Sequence, residues 1–338
     1  MARYDLEPEL RLVFMGTPAF AVPSLRALLS LRDVAGRPAR VVAVVTQPDR
    51  PAGRGGHIQA SPVKVAALEA GVPVLQPGRL RRPEHVAELR AYSPDLIVVA
   101  AFAQILSPTV LDMPAYGCLN VHASLLPRWR GASPIAAAIL AGDTTTGVTI
   151  MKMDAGLDTG PILAQRAETI RLDDTAATLT ERLATLGASL LVDTLGPWVA
   201  GQITPRPQDE AQATLTRPLQ REDGLIDWGA TAAATVARMA RAYDPWPGAY
   251  THYAGRVLKL WQAEAIDATV DAAPGHVLNR AEAAPLLEAL GLRWPQLLVV
   301  CREGVLLARR VQLEGRRPMA GDELMRGQPS MAGAQLGY

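Results

Sequence analysis

Leu12-Val13-Phe14-Met15-Gly16-Thr17-Pro18, followed by Phe20 to Leu29 at helical spacing, decides the fold. A short apolar run is a strand covered on both faces, Gly-Thr-Pro is turn chemistry, and the apolar recurrence beyond it marks a helix. The same grammar recurs along the chain. Val41 to Val45 reads as a second strand, Lys64 to Ala70 as a helix stopped by Gly71, and Val72 to Leu75 as a short strand. Leu96 to Ala101 is β-branched and apolar enough to be buried on both faces, Cys118 to Val121 follows as the next strand, and Thr146 to Met151 alternates. Strands alternating with helices predict an α/β fold: a doubly wound, mostly parallel, Rossmann-like sheet.

Thr175 to Leu195 is a helix with Asp173 or Asp174 as its cap, and the Pro-rich stretch Gly201 to Gln208 loses periodicity. A linker is therefore placed at residues 203–219, between domains at 1–202 and 220–338. Beyond it, a helix over Ala230 to Arg241 precedes strands at Arg256 to Trp261, Leu297 to Cys301 and Val305 to Val311, which suit a smaller β-barrel of OB type. Trp228, Trp246 and Trp261 in this part could stack on bases, but in a small β domain tryptophan is more often core.

The 338 residues exceed ordinary single-domain size. With 49% apolar and 20% charged residues, and Gly and Pro dispersed instead of gathered in tracts, the profile is globular. A net charge of +1 gives no sign of a polyanionic partner from composition alone. The two cysteines, Cys118 and Cys301, lie far apart in apolar runs and give no support to a disulfide or thiolate metal site. His57, His85, His252 and His276 show no ligand spacing, so no metal is expected. The acidic start Met1 to Pro8 and the lack of a long apolar run predict a cytoplasmic protein with no membrane segment. Gly53-Arg54-Gly55-Gly56 lacks the lysine of a phosphate loop and the glycine spacing of a dinucleotide loop.

Asn120 and His122 are two apart on one strand, so their side chains leave the same face, and the strand's carboxyl end is where such folds place a site. An amide beside an imidazole is a credible proton-transfer pair. Met153-Asp154-Ala155-Gly156-Leu157-Asp158-Thr159-Gly160 is a glycine-flanked loop that can carry Asp158 to His122, to orient it and lend it a counter-charge. Asp154 suits a turn or capping role, and Cys118 a small buried hydrophobe.

With Ser124-Leu125-Leu126-Pro127-Arg128-Trp129-Arg130-Gly131 added, these segments resemble the folate-dependent formyltransferases over nearly the whole chain. The resemblance implies Asn120, His122 and Asp158 as catalytic residues, Ser124, Leu125, Leu126 and Pro127 as part of the folate site, and 10-formyltetrahydrofolate as co-substrate without a metal. In that reaction a deprotonated amine adds to the formyl carbon and the tetrahedral oxyanion expels the folate nitrogen. Asn120 would donate to the oxyanion and His122 would shuttle the proton.

Thr46-Gln47-Pro48-Asp49-Arg50-Pro51-Ala52-Gly53-Arg54-Gly55, closed by Ser61-Pro62-Val63-Lys64, looks like the inserted loop of the branch acting on initiator methionyl-tRNA. This implies Arg50 and Arg54 as tRNA contacts, a tRNA-binding C-terminal domain and a monomer; the alternative acceptor is an amino sugar nucleotide. Two features depart from that branch. Gly56-His57-Ile58-Gln59 stands where the loop is commonly lysine-rich, and residues 203–338 hold 15 basic and 15 acidic residues instead of a basic excess. Local clustering of Arg309, Arg310, Arg316 and Arg317 would have to compensate. The segment Ala281 to Trp294 is longer than the family pattern and carries no assigned role.

Overall fold

In the computed structural model, residues 9–52 and 57–337 are described, with residues 50–52 and 57 followed as backbone. Two compact units emerge: residues up to Pro134 with Thr145–Thr169 and Thr180–Arg217, and Ile135–Thr144 with Ile170–Leu179 and Pro218–Tyr338.

The first unit is built on a mixed sheet. Leu10–Gly16 lies in the middle, parallel to Arg37–Val45 on one side and to Leu96–Ala100 on the other. Val74–Leu75 extends the first side and Cys118–His122 the second, both in parallel. The order of the chain thus reverses between Leu10–Gly16 and Leu96–Ala100, the switch point at which such folds bind their ligands beyond the carboxyl ends of the strands. Thr145–Lys152 and Ile162–Thr169 then add an antiparallel edge. The sheet is buried on both faces, as the apolar runs require: Leu12, Phe14, Met15, Val44, Ile97 and Val98 have no exposed surface. Truncating a side chain such as Phe14 to alanine would cost about 3–5 kcal/mol in transfer and cavity terms.

Sequence and structure differ in instructive places. Thr146 to Met151 is buried throughout instead of alternating, because the strand is flanked by Cys118–His122 and Ile162–Thr169 and covered by a helix. That helix, Ala176–Val199, comes close to the sheet through Gly187, where a Cβ would meet Val121 Cγ1 at 2.8 Å. In its first turn the Thr178 N–H donates to Thr175 Oγ1, while Asp174 accepts from the Arg171 N–H and the Thr178 hydroxyl. The helix Pro62–Glu69 is capped as its sequence suggests, with Ser61 Oγ accepting from the Lys64 N–H and proline in the first turn. Residues 203–217, where the linker was expected, run along the first unit. Arg206 exchanges two backbone hydrogen bonds with Ile162, and Leu215–Thr216 pairs with Arg130–Gly131.

The second unit is an antiparallel sheet curled into half a barrel, in the order Ala249–Tyr253, Arg256–Ile266, Val305–Leu313, Leu298–Val300, with Met319–Ala320 also on Val305–Leu313. Register shifts around Gln262 break the long ladder and bend it, the usual effect of extra residues in one strand. Ala233–Ala242 packs its Val236, Met239 and Ala240 inward. The segment Ala281 to Trp294 holds all but the first residue of the helix Arg280–Ala289, capped by Asn279, and its Ala283 and Leu287 pack with Leu298, Val300 and Leu307. Its length is thus used to cover one face of the sheet. Trp228 is core, with Nε1 donating to Thr251 Oγ1 at 3.0 Å, while Trp246 remains 55% exposed.

Candidate active site

In the strand Cys118–His122, Asn120 lies beside Val99 and Met151, and His122, at its carboxyl end, beside Thr149. Across from it, the loop Met153–Gly160 is turned by Asp154, whose Oδ1 accepts from the Gly156 N–H at 3.0 Å and the Thr159 hydroxyl at 2.7 Å. That is the turn role its composition suggested. The loop delivers Asp158 with φ of +54°, a left-handed conformation that a non-glycine residue adopts only when its surroundings impose it.

Two N–H donors and one imidazole nitrogen face the Asp158 carboxylate. Oδ1 accepts from Asn120 Nδ2 at 3.2 Å; Oδ2 accepts from the Gly131 N–H at 2.8 Å and lies 3.5 Å from His122 Nδ1. The other imidazole nitrogen, Nε2, is 3.0 Å from the Trp129 carbonyl oxygen. A carbonyl only accepts, so Nε2 carries a proton, and Nδ1 is the nitrogen left to gain or lose one. Asn120 and His122 are buried, and the Asn120 amide has a second N–H beyond the one given to Asp158. The structure therefore brings Asn120, His122 and Asp158 together from two distant stretches.

Ser124 and Leu126 are buried and bonded internally: the Ser124 hydroxyl donates to the Arg128 carbonyl, and the Leu126 N–H donates to Thr149 Oγ1. Thr149, fully buried, returns a hydrogen bond to the Ser124 carbonyl, and Gln165 Nε2 donates to the Leu126 carbonyl. These residues hold the turn beside His122, leaving Leu125 and Pro127 as its half-exposed parts. Sequence reading missed Thr149 and Gln165, which become visible only through strand register. It also missed Gln208, whose Nε2 donates to the carbonyls of Asp158 and Gly160 at 2.8 and 2.7 Å. Gln208 Oε1 accepts from Arg130 Nε, and Arg130, almost wholly buried, also makes a two-pronged pair with Glu210.

Cys118, at the start of the same strand, is buried with its thiol against the Val110 and Leu111 carbonyls, and burial pushes it up to about 12. A neutral thiol of this kind is no nucleophile.

The inserted loop is a hairpin, Arg50–Ala52 against His57–Gln59. Its base is tied down by Lys64 Nζ, which donates to Asp49 and to Gln76 Oε1, and by Gln76 Nε2, which donates to Asp49 Oδ1. The Lys64 hydrogen bond, followed by that from Gln76, holds the Asp49 carboxyl below its ordinary range. Arg54 lies outside the described residues, and Arg50 is described as backbone only. In the second unit, Arg309 is not an available cation: its Nε and Nη2 bind the two carboxylate oxygens of Glu264 at 3.0 and 2.9 Å. Among the described residues no cluster of His, Cys, Asp and Glu could hold a metal ion, and no helix is long and apolar enough to cross a membrane.

An amide donor, an imidazole with one exchangeable nitrogen and a carboxylate behind it can transfer a proton and stabilise a developing oxyanion without a metal or a covalent intermediate. Comparison with known proteins agrees with that chemistry. The sequence profile described as "Formyl transferase" matches residues 10–195, and "Formyl transferase, C-terminal domain" matches residues 218–329. The methionyl-tRNA formyltransferase of Roseiflexus sp. (strain RS-1) is 48% identical over 97% of this chain and 95% of its own. That of Hydrogenovibrio crunogenus is 46% identical over 92% and 93%. In fold, the chain is similar to a Helicobacter canadensis N-formyltransferase solved with folinic acid and dTDP-3-aminofucose, at a TM-score of 0.61 and 16% identity over 88% of this chain and 98% of that one. From the two profile matches and the near full-length identity, the chain belongs to the formyltransferase family, in the group of the methionyl-tRNA formyltransferases.

Proposed function

We propose that the chain transfers the formyl group of 10-formyltetrahydrofolate to the α-amino group of methionine on initiator methionyl-tRNA, a cytoplasmic step of translation initiation carried out by a monomer. The observation that carries this reading is the Asp158 carboxylate set between Asn120 Nδ2 and His122 Nδ1. Near full-length relatives at 46 and 48% identity, both methionyl-tRNA formyltransferases, support the choice of acceptor; the sugar-formylating neighbour at 16% supports the fold alone.

As co-substrate, 10-formyltetrahydrofolate supplies an activated one-carbon unit. The donor set fits it: a formyl oxygen calls for neutral N–H donors, and the residues present are an amide and an imidazole beside the half-exposed Leu125 and Pro127. The second N–H of Asn120 stabilises charge developing on that oxygen. His122 Nδ1 takes the proton of the attacking amine and passes it to the departing folate nitrogen; the Asp158 carboxylate beside it stabilises the imidazolium in between, and the Trp129 carbonyl holds Nε2. Residues 1–202, with the stretch 203–217 running along them, carry out the transfer, and residues 220–338 hold the tRNA together with Arg50 and Arg54.

The test offers purified protein and 10-formyltetrahydrofolate with methionyl-tRNA, an amino sugar nucleotide and glycinamide ribonucleotide as separate acceptors. Formylation of methionyl-tRNA alone is expected; preference for either other acceptor overturns the assignment.

A further inference from the structure

The residue that fixes the geometry of Asp158 lies in none of the segments that form its carboxylate's surroundings. We infer that Gln208 is a positioning residue for the transfer, clamping Asp158 in its left-handed backbone conformation so that the carboxylate reaches Asn120 and His122. The inference rests on the proposed role of Asp158.

The Gln208 amide can be oriented in one way only. Its NH2 faces two carbonyls, those of Asp158 and Gly160, and its oxygen faces Arg130 Nε at 3.0 Å. Turned over, it would set oxygen against two oxygens and N–H against a guanidinium. Arg130 in turn is held by Glu210, and the backbone N–H of the next residue, Gly131, binds Asp158 Oδ2. A closed circuit results: Asp158 carboxylate, Gly131, Arg130, Gln208, Asp158 carbonyl. Its effect is to hold φ of +54° at Asp158 from both the main-chain and the side-chain ends. Relaxation to an ordinary conformation would redirect the Cα–Cβ bond and withdraw the carboxylate from His122. A displacement of about 1 Å at such a position costs on the order of a hundredfold in rate.

Gln208→Glu is the sharp variant, because it is nearly isosteric and keeps an acceptor for Arg130 while replacing both donors to the loop carbonyls. Single-turnover formylation of methionyl-tRNA by the full chain, with enzyme in excess so that slow variants are measurable, is read for wild type, Gln208→Glu, Asp158→Asn and the double variant. The turnover of Gln208→Glu is expected to fall at least about tenfold. KM values for both substrates should stay within about twofold, and the melting temperature within about 4 °C. In the Asp158→Asn background the same substitution should change the residual rate by less than about threefold, because its effect passes through Asp158. An unimpaired Gln208→Glu, a loss carried by KM, or an equal loss in both backgrounds overturns the inference. Wild-type turnover in Asp158→Asn alone would instead sink the functional reading on which it rests. Should Gln208→Glu not fold, Gln208→Ala is read in the same cycle by the same criteria.

Discussion

The strand end at His122 and the hairpin of Arg50–Ala52 and His57–Gln59 belong to the same unit yet are built on opposite principles. At the strand end, the polar groups of Asn120, His122 and Asp158 are bonded to one another and to the backbone, on a sheet buried on both faces. The hairpin is a short two-stranded ribbon with Ile58 at 73% exposure in its second strand, tied down through Lys64, Asp49 and Gln76 at its base. A two-stranded ribbon has little stability of its own, so its shape is free to answer to a partner. On the proposed reading, chemistry is placed where geometry is over-determined, and recognition where it is cheap to change. That contrast explains how Gly56-His57-Ile58-Gln59 can stand in a loop that is commonly lysine-rich while the Asn-x-His strand and its aspartate are intact.

The contrast can be broken most forcefully at the strand end. His122→Ala should lower turnover by about 10²- to 10⁴-fold with formyl-folate binding retained; steady-state kinetics with near-normal kcat would remove the imidazole from the mechanism. Asn120→Ala should cost about 10²- to 10³-fold in kcat through the lost oxyanion donor, and a loss confined to KM would assign it to binding instead. At the hairpin, Arg50→Ala with Arg54→Ala should raise KM for methionyl-tRNA by about tenfold while leaving KM for formyl-folate unchanged. The remaining affinity should fall less steeply with salt, because fewer counterions are released; an unaltered salt slope would exclude both arginines as phosphate contacts.

The smallest effect concerns pH. Arg130 holds the Glu210 carboxyl below its ordinary value of 4.5. The pair's contribution to stability is complete above that value and is lost as pH falls through the lower folded one. Glu210 is 71% exposed at its side chain, so Glu210→Gln should flatten the acid limb of the melting curve by only about 2 °C. A melting profile that still drops in parallel with wild type below pH 4.5 would show that the pair is not felt.

Much of this molecule can be read from its sequence because parallel strands buried on both faces are short uninterrupted apolar runs, as at Val13-Phe14-Met15 and Ile97-Val98-Val99. The edge strand Ile162–Thr169 escapes such reading: paired along its length on one side only, it mixes Gln165, Arg166 and Glu168 among its apolar residues. The helix Pro83–Arg90 is half polar, and Ala249–Tyr253 is hidden behind the prolines at 245 and 247. At the candidate site, Asn120, His122 and Asp158 have side chains whose chemistry announces itself. Gln208 sits in a Pro-rich stretch with no periodicity, and its importance is a matter of which carbonyls it meets, a relation across 50 residues that no local pattern encodes.

Both thiols of the chain, Cys118 and Cys301, are buried and pushed up to about 12. At neutral pH the reactive thiolate fraction is then on the order of 10⁻⁵, too small for maleimides to find at useful speed. One cysteine introduced on the exposed hairpin, for instance Gln59→Cys, would accordingly take a fluorophore almost alone, with both native thiols left in place. On the proposed reading, a dye so placed would report RNA docking at the hairpin as an optical signal, separable in time from formyl transfer.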